Sequence, residues 1–432
     1  MRINEKDSCI MLDVSNDPAR ERIRKLWWIA LFFSSVMIAY SLRVIAPSVC
    51  LRPPGMDYWN FYKPVAESIF AGRGIVMPTG AFAYRYPPGY STLLATIWYF
   101  ADWIGVSRGL LADFVLTLLN AATAVLLAWF ASHFLNKTWS ILIGILWAAN
   151  PLALALIPGL YSEVPYTTIL TGAMACFWVY TCGPKIRNFG LVLSGGLMGL
   201  AMLFRPAGLF MPLVLAMFVL SYVSKPLKQR LAGAGVFLIA VLAAIMPWEI
   251  EIYRHTGEIL PLSSGGLPSM IDGLSRPKSS DMKKMPPPLP ADVDAFVADL
   301  RQKKQAKELN STKDVATWLV DQTMQRPTAV IKVIGYKLMR SWYGTDTRRN
   351  ETAILLTQLS LLSLSLVGGV RMWRCGGSRR ELVVFVLILI LTTWFMTILV
   401  ESLVRYMVPV MGLLFLLVPA ACDSRCVLKS LS

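Results

Sequence analysis

Near-continuous apolar runs, most close to 20 residues long, recur along the chain and are separated by short polar turns. They fall at about 27–45, 89–104, 109–134, 138–157, 164–182, 189–204, 207–223, 231–250, 352–370, 381–400 and 405–421. As a helix, a run of that length crosses a hydrocarbon core of roughly 30 Å. The pattern predicts an all-α polytopic membrane protein. The run at 89–104 is the ambiguous one, because it is short and carries Asp102.

Charge placement decides how to read it. If 89–104 lies flat in the interface, the basic clusters beside the spans all fall on one side. Those clusters are Arg20–Lys25, Lys137, Lys185–Arg187, Lys225–Arg230, Arg371–Arg380 and Arg425–Lys429. Basic loops mark the cytoplasmic side. If 89–104 crosses, the later clusters move outside. The expected topology is therefore about ten spans with both termini cytoplasmic. The polar lead through Lys25 reads as part of an uncleaved signal anchor.

This topology divides the chain into a cytoplasmic tail (1–26), a transmembrane module (27–250), an outer loop (251–350), C-terminal transmembrane helices (351–421) and a cytoplasmic tail (422–432). The first outer loop, 46–108, lies inside the module. Its amphipathic stretch Tyr58–Phe70 and the run 89–104 suit interfacial helices. In the long loop, Met285-Pro-Pro-Pro-Leu-Pro290 reads as a stiff spacer. Ser311-Thr-Lys-Asp314 reads as a capping box opening a helix through Gln325. Pro327 starts a second helix with Val330, Ile331, Ile334, Leu338 and Trp342 at helical spacing. That helix suits either an interface or packing on the spans below.

Composition narrows the function. Hydrophobic residues make up 55% and charged residues 16% of 432 residues, against roughly 25% charged in a soluble domain. The net charge of +16 sits in short loops, so it is a topology signal and not a nucleic-acid face. Of seven cysteines, only Cys50 falls outside, so no external disulfide is expected. Cys422 and Cys426 lack the further ligands of a zinc site. Charged residues sit near span ends, which argues against an ion-coupled transporter. Gly195-Gly196 and Gly368-Gly369 suit close helix packing.

The outer side gathers a series of motifs. Asp57 opens it, followed by Tyr58, Ala66–Gly72, Arg85-Tyr86-Pro87-Pro88-Gly89-Tyr90 and Asn150-Pro151. Tyr161-Ser162-Glu163, Arg205-Pro206, Pro247-Trp248, Gly257 with Leu260-Pro261, and Arg405-Tyr406 with Pro409 complete it. The ordered set resembles the membrane glycosyltransferases of the GT-C superfamily. It is similar to bacterial relatives of the protein O-mannosyltransferases and lipid A aminoarabinose transferases. The resemblance covers most of 50–270 and returns at 326–345 and 403–410.

The resemblance implies a GT-C-type bundle and an inverting transfer at the outer face of the membrane, here of a bacterial inner membrane. The donor is a sugar on a polyprenyl phosphate, and the acceptor is an envelope glycan, lipopolysaccharide, lipid or protein. Asp57 takes the position of the catalytic base. The protein mannosyltransferases carry Asp-Glu there, whereas Tyr58 follows here. Some relatives bind a divalent ion nearby, and Glu163 and His255 are the candidates in this chain. One histidine with scattered acids is not by itself a ligand set.

Elementary chemistry points the same way. A glycosidase needs two carboxylates because its leaving alcohol must be protonated. A polyprenyl phosphate departs as a stable anion, so one base suffices. Arginine suits the departing phosphate, being permanently charged and bidentate. Arg85, Arg205 and Arg405 are the candidates, with Lys63, Arg73 and Arg340 behind them. Tyr58, Tyr86 and Tyr161 stand beside them in the series and are expected to contact substrate. Each residue also has a plainer reading: Asp57 as a helix N-cap, Glu163 as a loop carboxylate without a role, Arg85 as a snorkelling side chain, Arg205 as a helix-end residue, Arg405 as a span anchor. The competing functions are a polyprenyl-linked glycolipid flippase or transporter, and a non-catalytic assembly protein.

Overall fold

A computed structural model describes residues 18–51, 53–181, 188–221, 226–275, 290–346, 348 and 350–422. The basic clusters at 185–187 and 425–429 and the proline-rich spacer at 285–289 lie outside the described residues. Among the described residues the chain is helical almost throughout, with one isolated bridge between Val76 and Phe82.

Among the described residues, six helices are long and apolar enough to cross a membrane: Lys25–Ile45, Arg108–Ala131, Lys137–Leu156, Leu227–Thr256, Glu351–Cys375 and Gly377–Leu399. Phe189–Phe204 and Pro206–Leu220 are shorter apolar helices. The apolar runs outnumber the long helices chiefly because three of them form helices of under 18 residues, and two runs have an irregular backbone. Asn150-Pro151 breaks the run 138–157 into Lys137–Ala148 and Pro151–Leu156. The run 405–421 is a 3₁₀ turn, Val404–Tyr406, and two short helices, Val408–Phe415 and Val418–Cys422. Proline lacks the amide hydrogen needed for a helical bond and fits best in the first turn, where Pro409 stands.

Gly89–Ile104 forms one helix of 16 residues. At 1.5 Å per residue it is about 24 Å long, short of a hydrocarbon core of roughly 30 Å. It packs against Lys63–Phe70, and Tyr99, Phe100 and Trp103 are exposed along it.

The bundle shares one apolar core. Glu163–Thr181 packs against Arg108–Ala131 and Asn188–Phe204, which in turn packs on Leu227–Thr256. Gly195 permits that last approach: a Cβ there would lie 2.8 Å from the Ala240 methyl. Arg43 in the first helix donates to Asp113 at 2.7 Å and to Thr117 at 3.1 Å, tying two helices together with a largely buried ion pair.

The long loop has a core of its own, including Ile271, Phe296, Leu300, Val315, Trp318 and Val333. Phe296 and Trp318 are 4.9 Å apart by ring centroid, and the Trp318 indole donates to Asp299 at 2.7 Å. The capping box forms: Asp314 N–H donates to Ser311 Oγ at 3.1 Å, and Ser311 N–H donates back to Asp314 at 2.8 Å. It opens Thr312–Gln325, and Pro327–Tyr343 follows. That last helix joins the two cores. Val330 and Val333 enter the loop core, while Trp342 meets Trp394 of the bundle at 5.7 Å. Ile331 remains exposed.

Candidate active site

Three breaks in the helical pattern meet at one place. The first lies between Ala46 and Tyr62, the second between Leu156 and Glu163, the third between Val400 and Tyr406. Asp57 sits in helical backbone (φ −62°, ψ −34°) just before a π-helical turn, Tyr58–Tyr62, that runs into Lys63–Phe70. Its side chain makes no capping bond, so the carboxylate is available to tertiary partners. Single π turns recur at functional sites, where they re-aim side chains. Gly55 N–H donates to Gly159 O at 3.1 Å, docking this segment on the turn before Glu163. A Cβ on Gly55 would stand 2.6 Å from the Tyr161 ring, so only glycine lets the two strands of chain meet.

Asp57 accepts from two directions. Tyr86 Oη donates to Oδ1 at 3.2 Å, and Arg405 Nη2 donates to Oδ2 at 3.3 Å. About a third of the Asp57 side chain stays accessible. Burial pushes the Tyr86 phenol up to about 12, and the Asp57 carboxylate adds to that. Tyr86 is therefore a neutral donor across the physiological range. It stacks on Tyr62 at 5.3 Å, whose phenol is raised by burial.

Behind Asp57 lies a buried acid between two arginines. Glu163 is 1% exposed. Its Oε2 is 2.7 Å from Arg205 Nη1, and its Oε1 is 3.6 Å from Arg405 Nε. Arg205 also donates to Ser162 Oγ at 3.1 Å, and Ser162 is 3.3 Å from Tyr62 Oη. Arg405 Nη1 is 3.7 Å from Asp346, and Nη2 donates to Tyr406 Oη at 2.9 Å. Tyr406 Oη donates to Glu401 Oε2 at 3.0 Å. The Arg405 guanidinium also lies 5.1 Å from the centre of the Tyr161 ring. Arg405 Nε is buried and has no hydrogen-bond partner.

The structure thus brings together Asp57, Tyr86, Tyr161, Glu163, Arg205 and Arg405 from the sequence series. Arg85 is exposed, its guanidinium 5.6 Å from the centre of the Tyr86 ring. Tyr58 is buried against Trp59. The secondary basic residues are engaged elsewhere: Lys63 with Glu67, Arg73 with Ser68, Arg340 with Glu351. Asp346 and Tyr62 had not been singled out in the sequence. Tyr406 stood in the series without a role.

The two metal candidates have different surroundings. Glu163 leans on arginines, whereas His255 stacks on Phe82 at 3.9 Å and contacts the Glu251 carbonyl at 2.9 Å. Among the described residues no three His, Cys, Asp or Glu side chains are grouped to hold an ion. The carboxylates present do not fit a divalent ion as arranged, because guanidinium groups stand between them.

No family model matches the sequence, and no curated protein matches it. Solved structures do match by shape. The archaeal oligosaccharyltransferase AglB from Archaeoglobus fulgidus, in complex with an inhibitory peptide and a dolichol-phosphate, aligns over 92% of this chain with a TM-score of 0.56 and 13% identity. The chain has the GT-C fold. The apo form of the same enzyme aligns with a TM-score of 0.54 and 12% identity, again over 92% of this chain. This chain spans about half the length of the archaeal enzyme: 50% of it is covered. ArnT from Cupriavidus metallidurans, bound to undecaprenyl phosphate, aligns over 92% of this chain and 78% of its own at a TM-score of 0.43 and 14% identity. The GT-C fold, with helices long and apolar enough to cross a membrane, is that of a polytopic membrane protein.

Proposed function

We propose that the chain is an inverting glycosyltransferase. It moves a sugar from a polyprenyl-phosphate donor to an envelope acceptor at the outer face of the membrane, with Asp57 as general base. The observation that carries this reading is the pairing of a partly accessible Asp57 with two arginines set on a buried glutamate. The carboxylate is held by Tyr86 and Arg405. A phosphate oxygen is a fitting acceptor for guanidinium donors.

The steps follow from charge. The acceptor hydroxyl loses its proton to Asp57 as its oxygen attacks the anomeric carbon from the face opposite the phosphate. The bond between that carbon and the phosphate oxygen breaks, and its electron pair leaves with the polyprenyl phosphate. The donor phosphodiester carries one negative charge and the departing monoester two. Arg405 and Arg205, both largely buried, stabilise the charge that develops. No acid is required on the leaving group. The dolichol-phosphate named with the archaeal structure is the same chemical class of carrier.

The test compares envelope lipids and polysaccharides by mass spectrometry in wild type, deletion and Asp57→Asn strains with equal protein levels. Loss of the same sugar mass from one acceptor in both altered strains is the expected result, and it identifies the acceptor. A change in the deletion strain alone would overturn the assignment of Asp57 and favour transport or assembly.

A further inference from the structure

Tyr406 occupies an unusual place in the site. Its ring centre lies 4.9 Å from the Arg205 guanidinium and 4.9 Å from that of Arg405. An aromatic face attracts cations, so one ring serves both like-charged groups. Its hydroxyl accepts from Arg405 Nη2 at 2.9 Å and donates to Glu401 Oε2 at 3.0 Å. The same Nη2 donates to Asp57 Oδ2 at 3.3 Å.

The order of these contacts fixes their direction. Arginine has donors and no acceptor, so the hydroxyl proton cannot point at Arg405. Glu401 takes that proton and leaves a lone pair facing Nη2. A hydroxyl whose proton is committed to a carboxylate is also the stronger acceptor. The backbone supports the arrangement. Val404 N–H donates to Gly344 O at 2.8 Å, and Tyr406 N–H to Leu403 O at 3.1 Å, holding the 3₁₀ turn against the end of Pro327–Tyr343.

We propose that Tyr406, oriented by Glu401, is a positioning residue that aims Arg405 at the phosphate of the polyprenyl carrier. Neither residue need touch the reacting atoms. Their effect reaches the substrate through the angle at which Arg405 presents its guanidinium plane. The proposal rests on the reading of the site as a carrier-phosphate site, and its test separates the two.

The full-length chain in detergent is titrated with undecaprenyl phosphate and, in parallel, with undecaprenol. Wild type and Tyr406→Phe, Glu401→Leu, Glu401→Gln and Tyr406→Phe/Glu401→Leu variants are compared. Tyr406→Phe keeps the ring and removes only the hydroxyl. It is expected to weaken phosphate binding about tenfold, with undecaprenol unaffected. Glu401→Leu is expected to weaken it by a similar factor. Glu401→Gln keeps an acceptor for the phenol and recovers most of the loss. Because the two groups act in series, the double variant falls no further than Tyr406→Phe alone. Wild-type affinity in Tyr406→Phe, or losses that multiply in the double variant, would overturn the proposal. If Tyr406→Phe does not fold, the contrast between Glu401→Leu and Glu401→Gln decides. If wild type shows no preference for the phosphate over the alcohol, the carrier-phosphate reading itself is wrong.

Discussion

Glu163 and Arg205 form an ion pair of 2.7 Å in which the acid is 1% exposed. A carboxylate so deeply placed is stable as a charge only while its cations remain. Arg405, 3.6 Å away on the other oxygen, completes the set. Glu163 therefore acts as the fixed anion that holds two arginines in one place.

Replacing Glu163 by Leu strips both guanidiniums of that anion. The expected cost is about 3–5 kcal/mol, the range for breaking a buried pair on one side. Thermal unfolding in detergent reads it directly. A stability equal to wild type would mean the arginines find other partners without strain.

Arg405→Lys keeps the charge but removes the planar fork that spans Asp57, Glu163 and Tyr406. An ammonium is a point charge and cannot reproduce that geometry. Sugar transfer in this variant is expected to fall at least tenfold while folding is retained. Transfer assayed in membranes, beside Asp57→Asn as the inactive reference, checks it.

The Tyr86 phenol is held up to about 12 by burial and by Asp57. An unfolded tyrosine titrates near 10. Between those values the unfolded chain has lost the proton and the folded chain has kept it, so stability falls as pH rises through that window. Below pH 10 the contribution of Tyr86 is complete. The stability difference between wild type and Tyr86→Phe is expected to hold constant up to about pH 10 and to shift against wild type by pH 12. A tyrosinate absorbance that appears for Tyr86 near pH 10 in the folded protein would contradict this.

The long loop carries its own core, so damage there should stay local. Phe296→Ala removes a fully buried ring packed on Trp318, at a cost of about 3–5 kcal/mol. Limited proteolysis is expected to open the region 266–333 first and to spare the bundle. Simultaneous loss of both regions would show that they unfold as one unit.

Much of this was legible from residue order. The capping box at Ser311 and the start at Pro327 depend on neighbours in sequence, and both helices form where local chemistry places them. The apolar run at 89–104 was ambiguous by length, and the basic clusters beside the spans were what read it as interfacial; it forms one helix of 16 residues. The helix Ala291–Gln305 was not anticipated, because its apolar residues are few among charges and its packing partners are distant. Asp346 likewise gave no signal. A single loop acid gains meaning only when tertiary structure sets it 3.7 Å from Arg405. The Asn150-Pro151 break shows the limit of hydropathy, which records an apolar run but not whether its backbone is continuous.

Asp57 and Arg405 are 348 positions apart. During synthesis Asp57 leaves the ribosome long before the arginine it leans on exists, so their contact can close only after the whole stretch between them has been made and folded. On the proposed reading, competence for chemistry waits on that contact.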